Sequence, residues 1–222
     1  MGSMVCGFCQ YVCVNMTLSL GLIRWGIVIH AFIDGHSRVI TSIRASNNNR
    51  ALTVLDVFHD GVRGWGLPSR VRGDHGTENI QVAAYMNYYR GSQRGSYLWG
   101  RCEFQTPYGT TFQPHTSWIR SVHNTRIERL WVDLKVQLVS KWANFFTDLE
   151  LRHGLSADNA NHIWLLQYLF LSEINNELQR FQQAWNNHPL RQDGQRTQTP
   201  LERFEWDMQV YGIRGDMNPA GV

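Results

Sequence analysis

The stretch that decides the fold is Val71-Arg72-Gly73-Asp74-His75-Gly76-Thr77-Glu78-Asn79. Residues 69–72 (SRVR) read as a short strand, and residues 80–89 behind the stretch read as a helix. The chain thus passes from a strand through a Gly-flanked polar turn into a helix, and Asp74 directly follows the strand.

The same kind of reading extends upstream. Residues 22–33 are rich in β-branched and aromatic types and predict a strand, with a possible break at Trp25-Gly26. Asp34-Gly35-His36-Ser37 is a turn, and residues 38–45 (RVITSIRA) form a second β-like run, so the two predict an antiparallel hairpin. Ala51, Leu55, Phe58 and Val62 then recur at i, i+4, i+7 and i+11, the spacing of one buried helix face, and Gly64, Gly66 and Pro68 end that helix.

Downstream, residues 91–120 show no period. Ile127, Leu130, Trp131, Leu134 and Leu138 mark an amphipathic helix, and Ile163, Leu166, Phe170, Ile174, Leu178, Phe181 and Trp185 mark a longer one. Thr199-Pro200-Leu201-Glu202 is a capping box with Pro at the first helical position. This order predicts an α/β fold in which a mixed sheet is flanked by helices, with a helical extension at the C-terminal end.

Composition sets the outer bounds. With 222 residues, 43% of them apolar and nine Trp, the chain has the makings of a packed globular protein. A formal charge of +3 is compatible with a nucleic-acid partner without demanding one, because phosphate affinity follows clustered Lys and Arg and no such run occurs. Cys6, Cys9 and Cys13 include one C-x-x-C spacing, but no fourth Cys or His follows before His30 to close a zinc site. Residues 12–23 are fairly apolar, yet no Lys or Arg precedes them and Arg24 interrupts them. The expectation is an intracellular chain with no membrane partner.

Three carboxylates stand where chemistry is possible. Asp34 sits where a strand ends in a turn, Asp74 follows a strand between Gly73 and Gly76, and Glu128 lies near the start of an amphipathic helix. Two or three such groups converging on a cleft suit Mg²⁺, a hard cation that takes oxygen ligands. Each also has a plainer use, since Asp in a D-G turn satisfies its own backbone and Glu in a first helical turn complements the helix dipole.

The wording around these residues resembles the catalytic core of DDE-type integrases. The stretch around Asp74 is similar to the segment that carries the second acid. Ser121-Val122-His123-Asn124-Thr125-Arg126-Ile127-Glu128-Arg129-Leu130-Trp131 is similar to the segment that carries the third. Phe32-Ile33-Asp34-Gly35-His36-Ser37-Arg38 resembles the family's D-x-x-S-R turn. Asn186-Asn187-His188-Pro189, followed by Thr199-Pro200-Leu201-Glu202-Arg203-Phe204, resembles its tail. The wording is closest to integrase-core proteins abundant in fungal genomes.

The resemblance implies a ribonuclease-H-like fold and an integrase-core domain of mobile-element origin. Its expected chemistry is DNA integration by polynucleotidyl transfer with Mg²⁺ or Mn²⁺. It makes DNA the expected partner, allows a homo-oligomer, and points to the nucleus, although no targeting signal is recognised. Asp74 and Glu128 become the expected catalytic metal ligands. Lys135, seven residues past Glu128 and so on nearly the same helix face, becomes a candidate phosphate contact.

Two features depart from the family pattern. The first catalytic Asp lies in a W-x-x-D element ahead of the D-x-x-S-R turn, so Asp34, at first sight a catalytic candidate, matches the later turn position. Counting back from Leu22-Ile23-Arg24-Trp25-Gly26 puts the missing acid near Thr17, and residues 14–20 hold no carboxylate. An enzyme of this design short of one ligand is expected to be largely inactive. Residues 1–21 are accordingly set apart as an atypical start, expected to be truncated or wrongly assigned, 22–207 as the core domain and 208–222 as a tail. The second departure is that 53 residues separate Asp74 from Glu128, more than the pattern keeps, and removing the 19 residues 102–120 restores it. Those residues are expected to be a loop insertion or translated intron. A non-catalytic DNA-binding or protein-interaction module, and another ribonuclease-H-like nuclease, are the competing functions.

Overall fold

The computed structural model describes residues 11–14, 21–73, 76–92, 96–99, 125–189 and 197–211, with backbone only for 11–14, 125–129 and 211. Five strands form one mixed sheet: β1 (Tyr11–Val14), β2 (Val28–Asp34), β3 (Ile40–Ser46), β4 (Arg70–Gly73) and β5 (Tyr97–Trp99). Their order across the sheet is β3-β2-β1-β4-β5. β2 runs antiparallel to both β1 and β3, whereas β1, β4 and β5 run parallel. The strand at the sheet's centre therefore comes from the stretch set apart as an atypical start.

The hairpin of β2 and β3 forms as expected, but the first half of residues 22–33 is not strand. Residues 23–25 make a 3₁₀ turn, with Trp25 N–H donating to Leu22 O at 3.0 Å, and Gly26 closes it in the left-handed region at φ 66°. Only Gly takes that conformation without strain. The turn lets both Leu22 and Trp25 point into the core, which an extended run with period two would not allow.

Helices cover both faces. On one, α1 (Ala51–Trp65) and α2 (Ile80–Arg90) enclose Phe32, Val54, Phe58, Val71, Val82 and Met86. On the other, one long helix and its return pack on Ile29, Ala31, Ile33 and Ile43. The first of these begins as α3 (Thr125–Leu134), passes through a π turn (Lys135–Val139) and continues as α4 (Ser140–His153); α5 (Ala160–Asn187) returns beside it.

The π turn has a cause in the sequence. Leu130, Leu134, Leu138, Trp142 and Phe146 are all buried and recur every four residues. An α-helix turns every 3.6 residues, so steps of four drift away from the core, and one wider turn restores the phase. Sequence periodicity marked this helix only as far as Leu138, because a 3.6-residue template loses the pattern there.

α5 also seals the outer edge of β3. The Asn175 amide exchanges two hydrogen bonds with the Ala45 backbone (2.8 and 3.0 Å), and Asn186 does the same with Ile40 (2.8 and 3.0 Å). These side chains satisfy outward backbone groups that an edge strand would otherwise leave open. Finally, α6 (Pro200–Tyr211) opens with the expected capping box: Thr199 N–H donates to Glu202 Oε2 at 2.9 Å, and Glu202 N–H donates to Thr199 Oγ1 at 3.1 Å.

Candidate active site

Strand direction decides where the acids can meet. β1 and β4 run side by side in the same sense, with Val12 opposite Val71 and Cys13 opposite Arg72. Their C-terminal ends therefore open on the same edge of the sheet, where Gly73 ends β4. In open sheets of this kind, sites form outside the carboxyl ends of parallel strands. Asp74 is the next residue, but it and His75 lie outside the described residues.

What the structure does describe is the seat of that residue. Gly73 is buried beneath Tyr97, the first residue of β5. A Cβ at position 73 would overlap the Tyr97 hydroxyl and come within 3.1 Å of its ring carbon and 3.4 Å of the buried Asn79 amide carbon. No side chain larger than hydrogen fits without moving Tyr97. Past the turn, Thr77–Asn79 form a 3₁₀ turn that leads into α2.

Glu128 falls in the first turn of α3, and the structure describes only its backbone. Leu130, Trp131 and Leu134 bury the next turns of that helix against the sheet. Lys135 is exposed at the first position of the π turn, where its carbonyl accepts from the Ser140 hydroxyl at 2.8 Å. The stretch 102–120 lies outside the described residues, as does Thr17.

Asp34 is placed elsewhere. It pairs with Val12, so it stands level with Val71, two residues before Gly73, and two strands away. With about 3.3 Å per residue and about 4.8 Å between strands, Asp34 and Gly73 are on the order of 12 Å apart. Its carboxylate turns to its own loop: Oδ2 accepts from His36 N–H (3.1 Å), Ser37 N–H (2.7 Å) and the Ser37 hydroxyl (2.7 Å). Arg38 completes the turn in the left-handed region at φ 69°, held by Trp185 Nε1 donating to its carbonyl at 2.9 Å.

Burial raises the Asp34 pKa above the ordinary carboxylate value, against the lowering effect of its three donors and of His36. Among the described residues the second oxygen, Oδ1, is buried with no hydrogen-bond partner, in keeping with that desolvation. A cavity lined by Asp34, Thr41, Phe58, Trp65 and Phe204 opens at this end of the sheet, well away from Gly73.

Sequence reading did not find Tyr97, Asn175 or Asn186. Tyr97 sits in a three-residue strand inside the aperiodic stretch, too short to show alternation. The asparagines lie on a helix whose apolar stripe drew the attention, although Asn186 heads the tail motif that was noted.

A five-stranded mixed sheet in the order β3-β2-β1-β4-β5, with helices on both faces, defines the ribonuclease-H-like class. The family model described as Integrase core domain matches residues 14–106 and 110–210. The chain belongs to that family. A comparison with curated proteins finds no match. Among solved structures, the HTLV-2 integrase catalytic core domain, in complex with magnesium and in a trimeric form, resembles 87% of this chain and 94% of that one. The identity is 11% and the TM-score 0.47. Among the described residues, no helix is long and apolar enough to cross a membrane.

Proposed function

We propose that this integrase core, of mobile-element origin, is built for divalent-metal-dependent polynucleotidyl transfer on DNA and is catalytically impaired as it stands. The observation that carries the reading is the parallel pairing of β1 with β4. It brings the end of the central strand beside the end of β4, the strand that Asp74 follows in sequence, yet neither β1 (Tyr-Val-Cys-Val) nor residues 15–21 contain a carboxylate.

Asp74 and Glu128 are the residues that would hold Mg²⁺ or Mn²⁺. Their oxygen donors suit a hard cation, but two carboxylates are few for a pair of ions that must displace several waters. When bound, such a pair stabilises the attacking and leaving oxygens of an in-line displacement at phosphorus. Lys135 presents its ammonium to a DNA phosphate, and the lack of a side chain on Gly73 lets β4 end close under Tyr97. Asp34 serves the hairpin turn and takes no part in metal binding. Residues 102–120 are extra to the pattern between the second and third acids, a loop insertion or a translated intron.

The same lack of a third acid favours one other reading, a DNA-binding module that keeps the fold without the chemistry. A nicking and strand-transfer assay in Mg²⁺ or Mn²⁺ separates the two. The expected result is salt-sensitive DNA binding with little turnover, and a gain of turnover in Thr17→Asp that Asp74→Asn and Glu128→Gln each abolish. Full turnover by the unaltered chain, lost in Asp74→Asn and Glu128→Gln, would overturn the impairment. No gain in Thr17→Asp would favour the non-catalytic module, and absence of DNA binding would overturn both.

A further inference from the structure

The cavity at the Asp34 end of the sheet has no part in the proposed chemistry. It lies where the hairpin turn, the second half of α1 and α6 come together, and it encloses about 330 Å³. Phe58, Val62 and Trp65 of α1 and Phe204 of α6 supply its apolar walls. The Trp65 and Phe204 rings meet edge to face at 5.1 Å, and His36 Nε2 lies 3.2 Å from Asp207 Oδ2, so α6 is tied to both other elements. Asp34, only 2% exposed, gives the cavity its one acid. Its Oδ2 takes all three donors of the turn, while Oδ1 has no partner among the described residues. A buried polar oxygen left open is costly, and such an exception in a folded protein calls for an explanation.

We infer that this cavity is a binding site for a small organic ammonium ion, whose N–H donates to Asp34 Oδ1 while its apolar body lies among Phe58, Trp65 and Phe204. The lining selects that chemistry. No Lys or Arg lines the cavity, so an anion would meet a carboxylate with nothing to hold it. A plain hydrocarbon would leave Oδ1 unpaired. A hard metal ion needs several oxygen ligands, and the only side-chain oxygens in the lining are those of Asp34 and Thr41. An ammonium ion supplies a charge-assisted hydrogen bond, about twice as strong as a neutral one, and aromatic faces attract its charge. It also stabilises the ionised carboxylate that burial disfavours. The volume is at the low end for small-molecule sites, which calls for a compact ligand.

The probe is benzylammonium chloride, titrated into the full chain and followed by NMR at the Trp65 indole N–H, assigned with Trp65→Phe. A saturable shift with Kd of about 1 mM is expected. Asp34→Asn keeps an acceptor for the turn but turns the open oxygen into an amide N–H₂, and should weaken binding at least ~10-fold. Phe204→Leu keeps the carboxylate and removes one aromatic face, and should weaken binding ~3-fold. Asp56→Asn, at an exposed acid elsewhere on α1, should change nothing. Benzyl alcohol should bind ~10-fold more weakly than benzylammonium, and benzoate should not bind. No saturable shift up to about 20 mM would overturn the inference. So would benzoate or benzyl alcohol binding as well as benzylammonium, or binding unmoved in a folded Asp34→Asn. Should circular dichroism show Asp34→Asn misfolded, Phe204→Leu and the two uncharged-head and anionic comparators decide, and equal binding across them would overturn it as surely.

Discussion

Asp34 and Asp74 are written almost alike. Each follows a β-run and opens a polar turn that holds a glycine and a histidine, Asp34-Gly35-His36-Ser37 in one case and Asp74-His75-Gly76-Thr77 in the other. What separates them is strand direction. β2 is antiparallel to β1 and β1 is parallel to β4, so β2 ends at the edge of the sheet where β4 begins. One aspartate therefore closes a hairpin at the structural end, with three donors on a single oxygen. The other follows β4 at the end where parallel strands open. Residue type and turn wording cannot make that distinction; topology does.

If the comparison holds, the largest effect on folding comes from Asp34. Asp34→Ala leaves the amides of His36 and Ser37 and the Ser37 hydroxyl without their acceptor in a buried turn. A loss of about 3 kcal/mol by urea denaturation is expected, since each orphaned buried donor costs about 1–3 kcal/mol. DNA binding per folded molecule should not change. Asp34→Asn tests the charge separately. The folded carboxyl is held above its ordinary value of 3.8, so the folded state binds its proton the more readily. Its contribution is therefore most favourable below the ordinary value and is lost as pH rises through the raised one. The stability of the unaltered chain relative to Asp34→Asn should fall over that window. A difference that grows with pH would show the carboxyl to be lowered instead.

Asn186 sharpens the structural end from the other side of the same turn. Its amide is the buried partner of both Ile40 backbone groups, just where β3 leaves the turn. Asn186→Ala is expected to destabilise by about 2 kcal/mol, because an apolar substitute leaves an N–H and a C=O poorly satisfied at a covered edge. Gln182 Nε2 also donates to Ile40 O at 2.8 Å, which keeps the loss below that of Asp34→Ala. At the opposite end, Gly73→Ala forces a methyl into Tyr97, and overpacking of this kind costs about 1–3 kcal/mol. Smaller side chains at position 97 should recover part of it in the double variant Gly73→Ala, Tyr97→Phe, because the overlap is worst at the hydroxyl.

These positions also show what a lone sequence could and could not say. The β2–β3 hairpin, α1, α2, α5 and the capping box of α6 were legible because each has a local signal: β-branched runs on either side of a polar turn, a 3.6-residue stripe, a helical run behind a Gly-flanked turn, or paired Thr and Glu. The π turn was not, since five core residues at steps of four fit no helical template. β5 was too short to alternate. The seat of the candidate site was half legible. Gly73 and Asp74 stood out by wording, but Tyr97 reaches Gly73 only because two strands 24 residues apart lie side by side, a non-local fact. The edge amides of Asn175 and Asn186 were hidden for the same reason.

The smallest effect on folding, and the sharpest cut between the two aspartates, is expected at Asp74. A carboxylate that serves a ligand rather than its own turn contributes little to the unliganded fold, so Asp74→Asn should stay within about 0.5 kcal/mol of the unaltered chain. Its contribution should appear only through linkage. A cation that binds the folded state alone adds RT ln(1 + [L]/Kd), about 1.4 kcal/mol at ten times Kd. On the proposed reading two carboxylates stand in place of three, and 10 mM Mg²⁺ is expected to stabilise the unaltered chain by less than about 1 kcal/mol. Thr17→Asp should enlarge that increment, and Asp74→Asn should remove it, while Asp34→Asn leaves it unchanged. Calorimetric melting with and without Mg²⁺ reads all three variants on one scale. If Asp34→Asn erased the increment and Asp74→Asn did not, the two ends of the sheet would have to exchange roles.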